Sequence, residues 1–171
     1  MPIYAKAPAN TFIPAPPGAH AAVCVDVVDL GDLEVSFGGK NKRQHKIRIV
    51  WQLEEVMADN RPFIVQRRYT NSLHEKASLR KDLESWRGRA FTDQELEGFD
   101  LENLLNVGCL LNVIQQVKDG STFSNVASIM KLPKTMQAPK PRDYVRVCDR
   151  TPEQAQADPD AWSPADEDVP F

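Results

Sequence analysis

Cysteine is scarce in this 171-residue sequence. Cys24, Cys109 and Cys148 are too few and too scattered for a disulfide framework, which points to a reducing compartment. No run approaches the ~18 consecutive apolar residues of a membrane span, so no membrane partner is expected. The opening "MPIYAKAPANTFIPAPPG" lacks the charged-then-apolar pattern of a secretory signal, and the expected location is a cytoplasm. Metal-ligating clusters are missing too. His20, His45 and His74 stand apart, and His20 and Cys24 on a strand would be about 13 Å from each other, too far for one ion. CxxC, HExxH, GxxxxGK[ST] and GxGxxG are all absent, and no nucleophile elbow is visible. No catalytic residue, metal or cofactor is therefore expected, and the chain reads as a non-enzyme. A nuclease using Asp26 or Asp29 is the most distant alternative, since a polar edge role suits both residues better.

Positive charge vanishes from Thr151 onward, where Glu153, Asp158, Asp160, Asp166, Glu167 and Asp168 stand without a Lys or Arg. With those six set aside, residues 1–150 hold 21 basic against 18 acidic residues, a net +3 beneath an overall charge of −3. A mildly basic body on an acidic leash suggests an anionic partner for the body. Hydrophobic content of 42% is slightly below a globular average, which fits a folded body with polar ends.

Three regions follow. Residues 1–18, with Pro2, Pro8, Pro14, Pro16 and Pro17, read as an extended arm. Residues 19–132 carry the pattern of a folded domain. Residues 133–171, rich in Pro and Ala, read as a flexible linker and acidic tail, with a short piece around 143–149 able to pair or dock. Within the domain, "HAAVCVDVVDL" (20–30), "QHKIRIVWQLE" (44–54) and "PFIVQRRYT" (62–70) read as strands. "CLLNVIQQV" (109–117) and "TFSNVASIM" (122–130) flank the hairpin turn Asp119-Gly120. Between the third and fourth strands, Ser72 with Glu75 reads as a capping box ahead of a helix burying Leu79, Leu83 and Trp86. Thr92 with Glu95 makes a second box, Phe91 and Leu96 a hydrophobic staple, and Asp100 starts a last turn closed by Gly108. Five strands with a helix between the third and fourth is the element order of the OB-fold, a five-stranded Greek-key barrel. An open α+β sheet is the alternative.

OB-folds hold oligonucleotides on the second and third strands and the loops beside them. Here the first connection, "GDLEVSFGGKNKRQ" (31–44), reads as a mobile loop carrying Lys40, Lys42 and Arg43, and strand two continues with Lys46 and Arg48 facing outward. Of Arg67 and Arg68, alternation lets one face the groove, and Arg67 is the candidate. Single-strand binding also needs rings for stacking. Phe37, in its Gly-rich setting, is the leading ring, and Tyr69 leans outward by sharing parity with Arg67. Trp51 is a lesser candidate because Ile47, Ile49 and Leu53 share its face, while Phe63 and Phe123 stay open between core and ligand. No residue pattern reads base identity, so binding should be sequence-tolerant and salt-dependent.

The last six residues, "DEDVPF", resemble the acidic C-terminal tip of bacterial single-stranded DNA-binding proteins, which typically ends Asp-Asp-Asp-Ile-Pro-Phe. Across "RRYTNSLHEKASLRKDLESWRGR" (67–89) the body looks like the divergent OB-fold single-stranded DNA-binding proteins of bacteriophages and prophages. The resemblance implies a protein that coats transient single strands during DNA replication, recombination and repair in a bacterial host. It also implies that Asp166, Glu167, Asp168, Val169, Pro170 and Phe171 dock on host replication and repair proteins, with a homo-oligomer admitted. The runner-up, from another class, is a protein–protein adaptor or structural β-barrel held on a host complex by its tail.

Overall fold

The computed structural model describes residues 14–150 apart from Asp59 and Asp143, and the side chains of Phe37 and Ser121 also lie outside what it describes. Five strands dominate: β1 (Gly18–Phe37), β2 (Lys40–Val56), β3 (Pro62–Thr70), β4 (Gly108–Lys118) and β5 (Ser121–Met130). Between β3 and β4 lie helix α1 (Ser78–Arg87), the short helix α2 (Asp93–Glu97) and a 3-10 turn at Leu101–Leu104. A second 3-10 turn, Val147–Asp149, follows β5. All neighbouring strands pair antiparallel in one sheet of order β3-β2-β1-β4-β5. The all-β class and the element order are as expected. Among the described residues no ladder joins the two edge strands, so the sheet is not closed. The edges are nevertheless close: Arg67 of β3 comes within 3.5 Å of the Val126 carbonyl on β5.

Sequence chemistry accounts for most boundaries. Gly38 and Gly39 (φ 58° and 79°) turn β1 into β2, and Asp119 and Gly120 (φ 51° and 78°) turn β4 into β5. Both are two-residue turns with positive φ at each central position, the geometry that matches strand twist. Thr92 caps α2 by accepting from the Glu95 N–H at 3.3 Å, and Asp100 accepts from the Glu102 N–H at 2.9 Å. The box expected at Ser72 is not used. Its hydroxyl accepts from the His74 N–H in a local turn, and α1 begins at Ser78 after an extended Ala77.

The inner face of the sheet holds the main core. Ile47, Ile49, Trp51 and Leu53 of β2 meet Leu79, Leu83 and Trp86 of α1, with the two indole rings 6.0 Å apart. Each such side chain, fully buried, stabilises by about 1.5–3 kcal/mol. Trp86 Nε1–H donates to the Gly108 carbonyl (2.9 Å) and Ser85 Oγ to that of Ile129 (2.6 Å), fixing α1 against the start of β4 and the end of β5.

Both terminal regions are more ordered than their composition suggests. Ala15 is buried in the core, and its carbonyl accepts from Gln115 Nε2 (3.0 Å) and Ser124 Oγ (2.7 Å). The arm expected over residues 1–18 is thus docked in its described part, because a bare carbonyl finds two donors. The flexible region expected from residue 133 is corrected up to Arg150. This stretch forms a strap over the outer face of the sheet. Ala138 lies so close to Gly108 that a Cβ there would collide with it, which explains the glycine. Further on, Gln52 on β2 clamps the backbone of Arg142, donating to its carbonyl (2.7 Å) and accepting from its N–H (2.8 Å).

Candidate nucleic-acid interface

β2 is continuous from Lys40 to Val56, so residues two apart share a face. Lys40, Lys42, Lys46 and Arg48 therefore fall on the outer side, opposite the core row of Ile47, Ile49, Trp51 and Leu53. At ~3.3 Å per residue the row from Lys40 to Arg48 extends about 26 Å. Register carries this face onto the neighbours. Arg68 and Thr70 of β3 oppose Arg48 and Lys46, while Val28, Gly31, Val35 and Phe37 of β1 oppose Arg48, Lys46, Lys42 and Lys40.

The expected loop over 31–44 is instead the outer half of a β-ribbon, a correction with a simple cause. The Gly38-Gly39 turn lets Lys40 pair directly with Phe37, and the ladder runs unbroken from there to Gly31 and Lys46. β4 pairs with β1 only over Gly18–Val23, and β3 joins β2 from Lys46 onward. The ribbon beyond that point has only its own ladder. Lys40 and Lys42 are exposed on one of its faces. Arg43, also exposed, falls on the other, opposite Glu34, so it does not join the row. On that second face His45 bridges two β1 carboxylates at the ribbon's root, with Nε2 2.7 Å from Asp29 and Nδ1 3.3 Å from Asp32.

Lys46 and Arg48 keep the expected face but are not open to solvent. Lys46 is 8% exposed and donates to Thr70 Oγ1 at 2.8 Å, and Arg48 is 5% exposed. Tyr144 of the strap packs on the outer patch of Val23, Val25 and Val50, in the same neighbourhood. The strap's seat is Asp26, a carboxylate 1% exposed that accepts from Tyr144 Oη (3.0 Å), Arg146 Nε (3.2 Å) and the Val147 N–H (2.9 Å). Burial and then the Asp26 charge push the Tyr144 phenol well above its ordinary range. Arg146 reaches on to Glu102 at 2.9 Å. With its oxygens occupied this way, Asp26 is a structural acceptor. Among the described residues no group of three or more His, Cys, Asp or Glu is placed to hold a metal.

Three expected contacts belong to the core side instead. Trp51 is fully buried against Trp86, as its apolar neighbours favoured, and offers no stacking surface. Tyr69 is 1% exposed, and its hydroxyl donates to Asp82 Oδ2 at 2.7 Å. Burial, with Asp82 beside it, holds that hydroxyl well above its ordinary pKa of 10. Arg67 pairs with the same Asp82 oxygen (3.1 Å) and lies over the Tyr69 ring at 5.1 Å. Its parity was the misleading signal. Phe63 and Val65, buried on the same side of β3, mark that parity as inward, which leaves Arg68 as the outward arginine. Phe63 resolves to core, whereas Phe123 is half-buried on β5. The Phe37 side chain and all of Asp166, Glu167, Asp168, Val169, Pro170 and Phe171 lie outside the described residues. The sequence offered no sign of Asp26 and Gln52 as seats for the strap. No family model matches the chain, and no curated protein matches it.

Proposed function

We propose that this chain is a sequence-tolerant single-stranded DNA-binding protein, of the phage or prophage kind that its residues 67–89 and its last six residues resemble. The observation that carries the reading is the row of Lys40, Lys42, Lys46 and Arg48 on one strand face, joined across the ladder by Arg68. A linear array of cations on a continuous strand suits a flexible polyanion, and displaced counterions supply the driving force. In this reading Lys40 and Lys42 are the accessible phosphate contacts, Lys46 and Arg48 raise the potential beneath them, and Phe37 remains the stacking ring. The OB barrel is part of the same proposal. Supporting it are the strand order, whose two edges are those a barrel would join, and the helix lying between β3 and β4 in sequence. No covalent step is involved. The chain would work in the cytoplasm of a bacterial host, protecting single strands in replication, recombination and repair.

The tip completes the function. Phe171 offers a ring for an apolar pocket, Pro170 limits the freedom of the backbone before it, and Asp166, Glu167 and Asp168 steer it toward basic surfaces of host proteins. Burial of Trp51 and Tyr69 favours the second reading, an adaptor without DNA affinity, because it removes two of the rings expected for stacking. Fluorescence anisotropy with labelled poly-dT and a matching duplex separates the two. Tight binding to the single strand that weakens steeply between 50 and 200 mM salt is the expected result. Absence of binding to poly-dT at low salt leaves the adaptor.

A further inference from the structure

His20 sits where the arm, β1 and β2 meet. It is buried, two residues before Ala22 of the core row and so on the same side of β1. Both of its ring nitrogens have a partner. Nδ1 lies 2.9 Å from Glu55 Oε1 near the end of β2, and Nε2 lies 2.7 Å from the Pro16 carbonyl of the arm. The register that sets Ala22 opposite Leu53, carried on by two residues, brings Glu55 opposite His20. The first contact is therefore built into the sheet.

Both partners are acceptors. A carbonyl oxygen has no proton to give, and an ionised carboxylate has none either. A neutral imidazole donates from one nitrogen and presents a lone pair at the other, so either tautomer sets a lone pair against an oxygen. The imidazolium alone donates at both. Other ionisable groups on the surrounding strands do not change this. Glu54 alternates to the outer side of β2, Lys118 stands at the β4–β5 turn, and β5 carries none. Burial keeps the thiols of Cys24 and Cys109 protonated. His45 also lies between two acceptors, Asp29 and Asp32, but those carboxylates are open to water, which can replace either bond. At the buried His20 a lost bond leaves an unmatched polar group.

The arm depends on such donors. Pro14, Pro16 and Pro17 have no N–H, so residues 14–17 cannot join the sheet through a ladder. Gln115 and Ser124 hold the Ala15 carbonyl, and His20 holds that of Pro16. Of these three donors, His20 is the one that titrates. We propose that His20 is a proton-gated latch for the N-terminal arm. As an imidazolium it ties the Pro16 carbonyl to Glu55, and loss of one proton makes it give up one of the two. Because the docked arm favours the charged ring, the latch is closed below the range near pH ~6.5 where free imidazoles titrate, while Glu55 is ionised. It opens as pH rises above that range. The latch is independent of the single-strand reading.

The test uses the full-length chain carrying 13C at its alanine methyls, with the Ala15 methyl as reporter because docking buries it in the core. In wild type the ratio of open to docked arm should rise about tenfold or more between pH 5.5 and pH 8, the size expected for losing a charge-assisted bond. In Glu55→Gln the side-chain amide can donate to Nδ1 of a neutral ring while Nε2 still donates to Pro16. That ratio should then change less than about twofold. Glu55 is exposed, so the substitution spares the core. An Ala15 methyl that keeps its core position equally at both pH values in wild type overturns the latch. So does a pH-dependent ratio that persists in Glu55→Gln. Ring 15N shifts of wild type supply an independent measurement: at pH 5.5, with the arm docked, both His20 nitrogens should be protonated. A ring carrying a single proton in that state also overturns the proposal.

Discussion

Tyr69 shows how far a single residue can be read and where the reading fails. Parity with Arg67 points it outward, yet a charged residue beside a core aromatic can be satisfied by a half-buried carboxylate, and Asp82 does this for both. Phe63 and Val65, buried on the same face, outweigh the one arginine. Trp51, with apolar neighbours two residues to either side, is legible as core for the same reason. The Tyr69→Phe variant tests the corrected role. Losing the bond to Asp82 should cost about 1 kcal/mol by urea unfolding at neutral pH, with poly-dT affinity unchanged. Its alkaline behaviour is also specific. The folded-state pKa of Tyr69 lies above its unfolded value of about 10, so the unfolded chain gives up the proton first as pH rises. That stability is fully present below pH 10 and is lost progressively above it. Cys24, whose thiol burial pushes up to about 12, acts in the same sense from about pH 9. Wild-type stability should therefore fall on the alkaline side, and the fall should be shallower in Tyr69→Phe. A variant with weaker poly-dT binding and unaltered stability would return Tyr69 to the interface.

At the scale of elements, the parts that were readable are those whose local chemistry has one outcome. Asp119-Gly120 makes a tight hairpin, and Thr92 with Glu95 caps a helix, whatever the rest of the chain does. The ribbon was not readable as strand, although its Gly38-Gly39 turn is as strong a signal. Strands are recognised by apolar alternation, which exists because one face meets a core. Residues 31–45 meet none: Leu33, Val35 and Phe37 alternate on β1, but the partners they face across the ladder, Gln44, Lys42 and Lys40, are polar, so the pattern stops at the turn. A two-stranded ribbon without further partners is marginal in isolation. Its root is tied by His45 between Asp29 and Asp32, and the bulge between Asp29 and Gly31 shifts the ladder there. Local opening should therefore be much easier here than in the body. Hydrogen exchange should show amides of residues 32–44 exchanging at least tenfold faster than those of 47–53, and poly-dT should slow the ribbon selectively. Equal protection in both segments of the free protein would mean that the ribbon is covered in solution, by a second copy or by the tail.

For the whole molecule, the division into a basic body and an acidic end was plain from composition, but the boundary between them was not. Apart from the short piece around 143–149, able to pair or dock, residues 133–150 look unable to fold because little in them builds a core, and that judgement holds for the segment alone. Its order comes from partners placed far earlier in the chain: Gln52 stands 90 residues before Arg142, and Asp26 stands 120 before Arg146 and 121 before Val147. Such a pairing leaves no periodicity and no local spacing to find. The change of boundary alters what a truncation means. Ending the chain at Arg150 removes six carboxylates and spares every strap contact described, so unfolding stability should stay within about 0.5 kcal/mol of wild type. Ending it at Ala138 removes the partners of Asp26 and Gln52, stranding a buried carboxylate, and should cost about 3 kcal/mol or more. Binding should separate the two as well. Without the tail's carboxylates competing for Lys40 and Lys42, the Arg150 truncation should bind poly-dT more tightly than wild type at 50 mM salt, with the gap closing by 200 mM as screening weakens attraction between exposed charges. Affinities equal at low salt would show that the acidic end does not compete for the row. Its carboxylates would then serve only to steer the tip toward its protein partners.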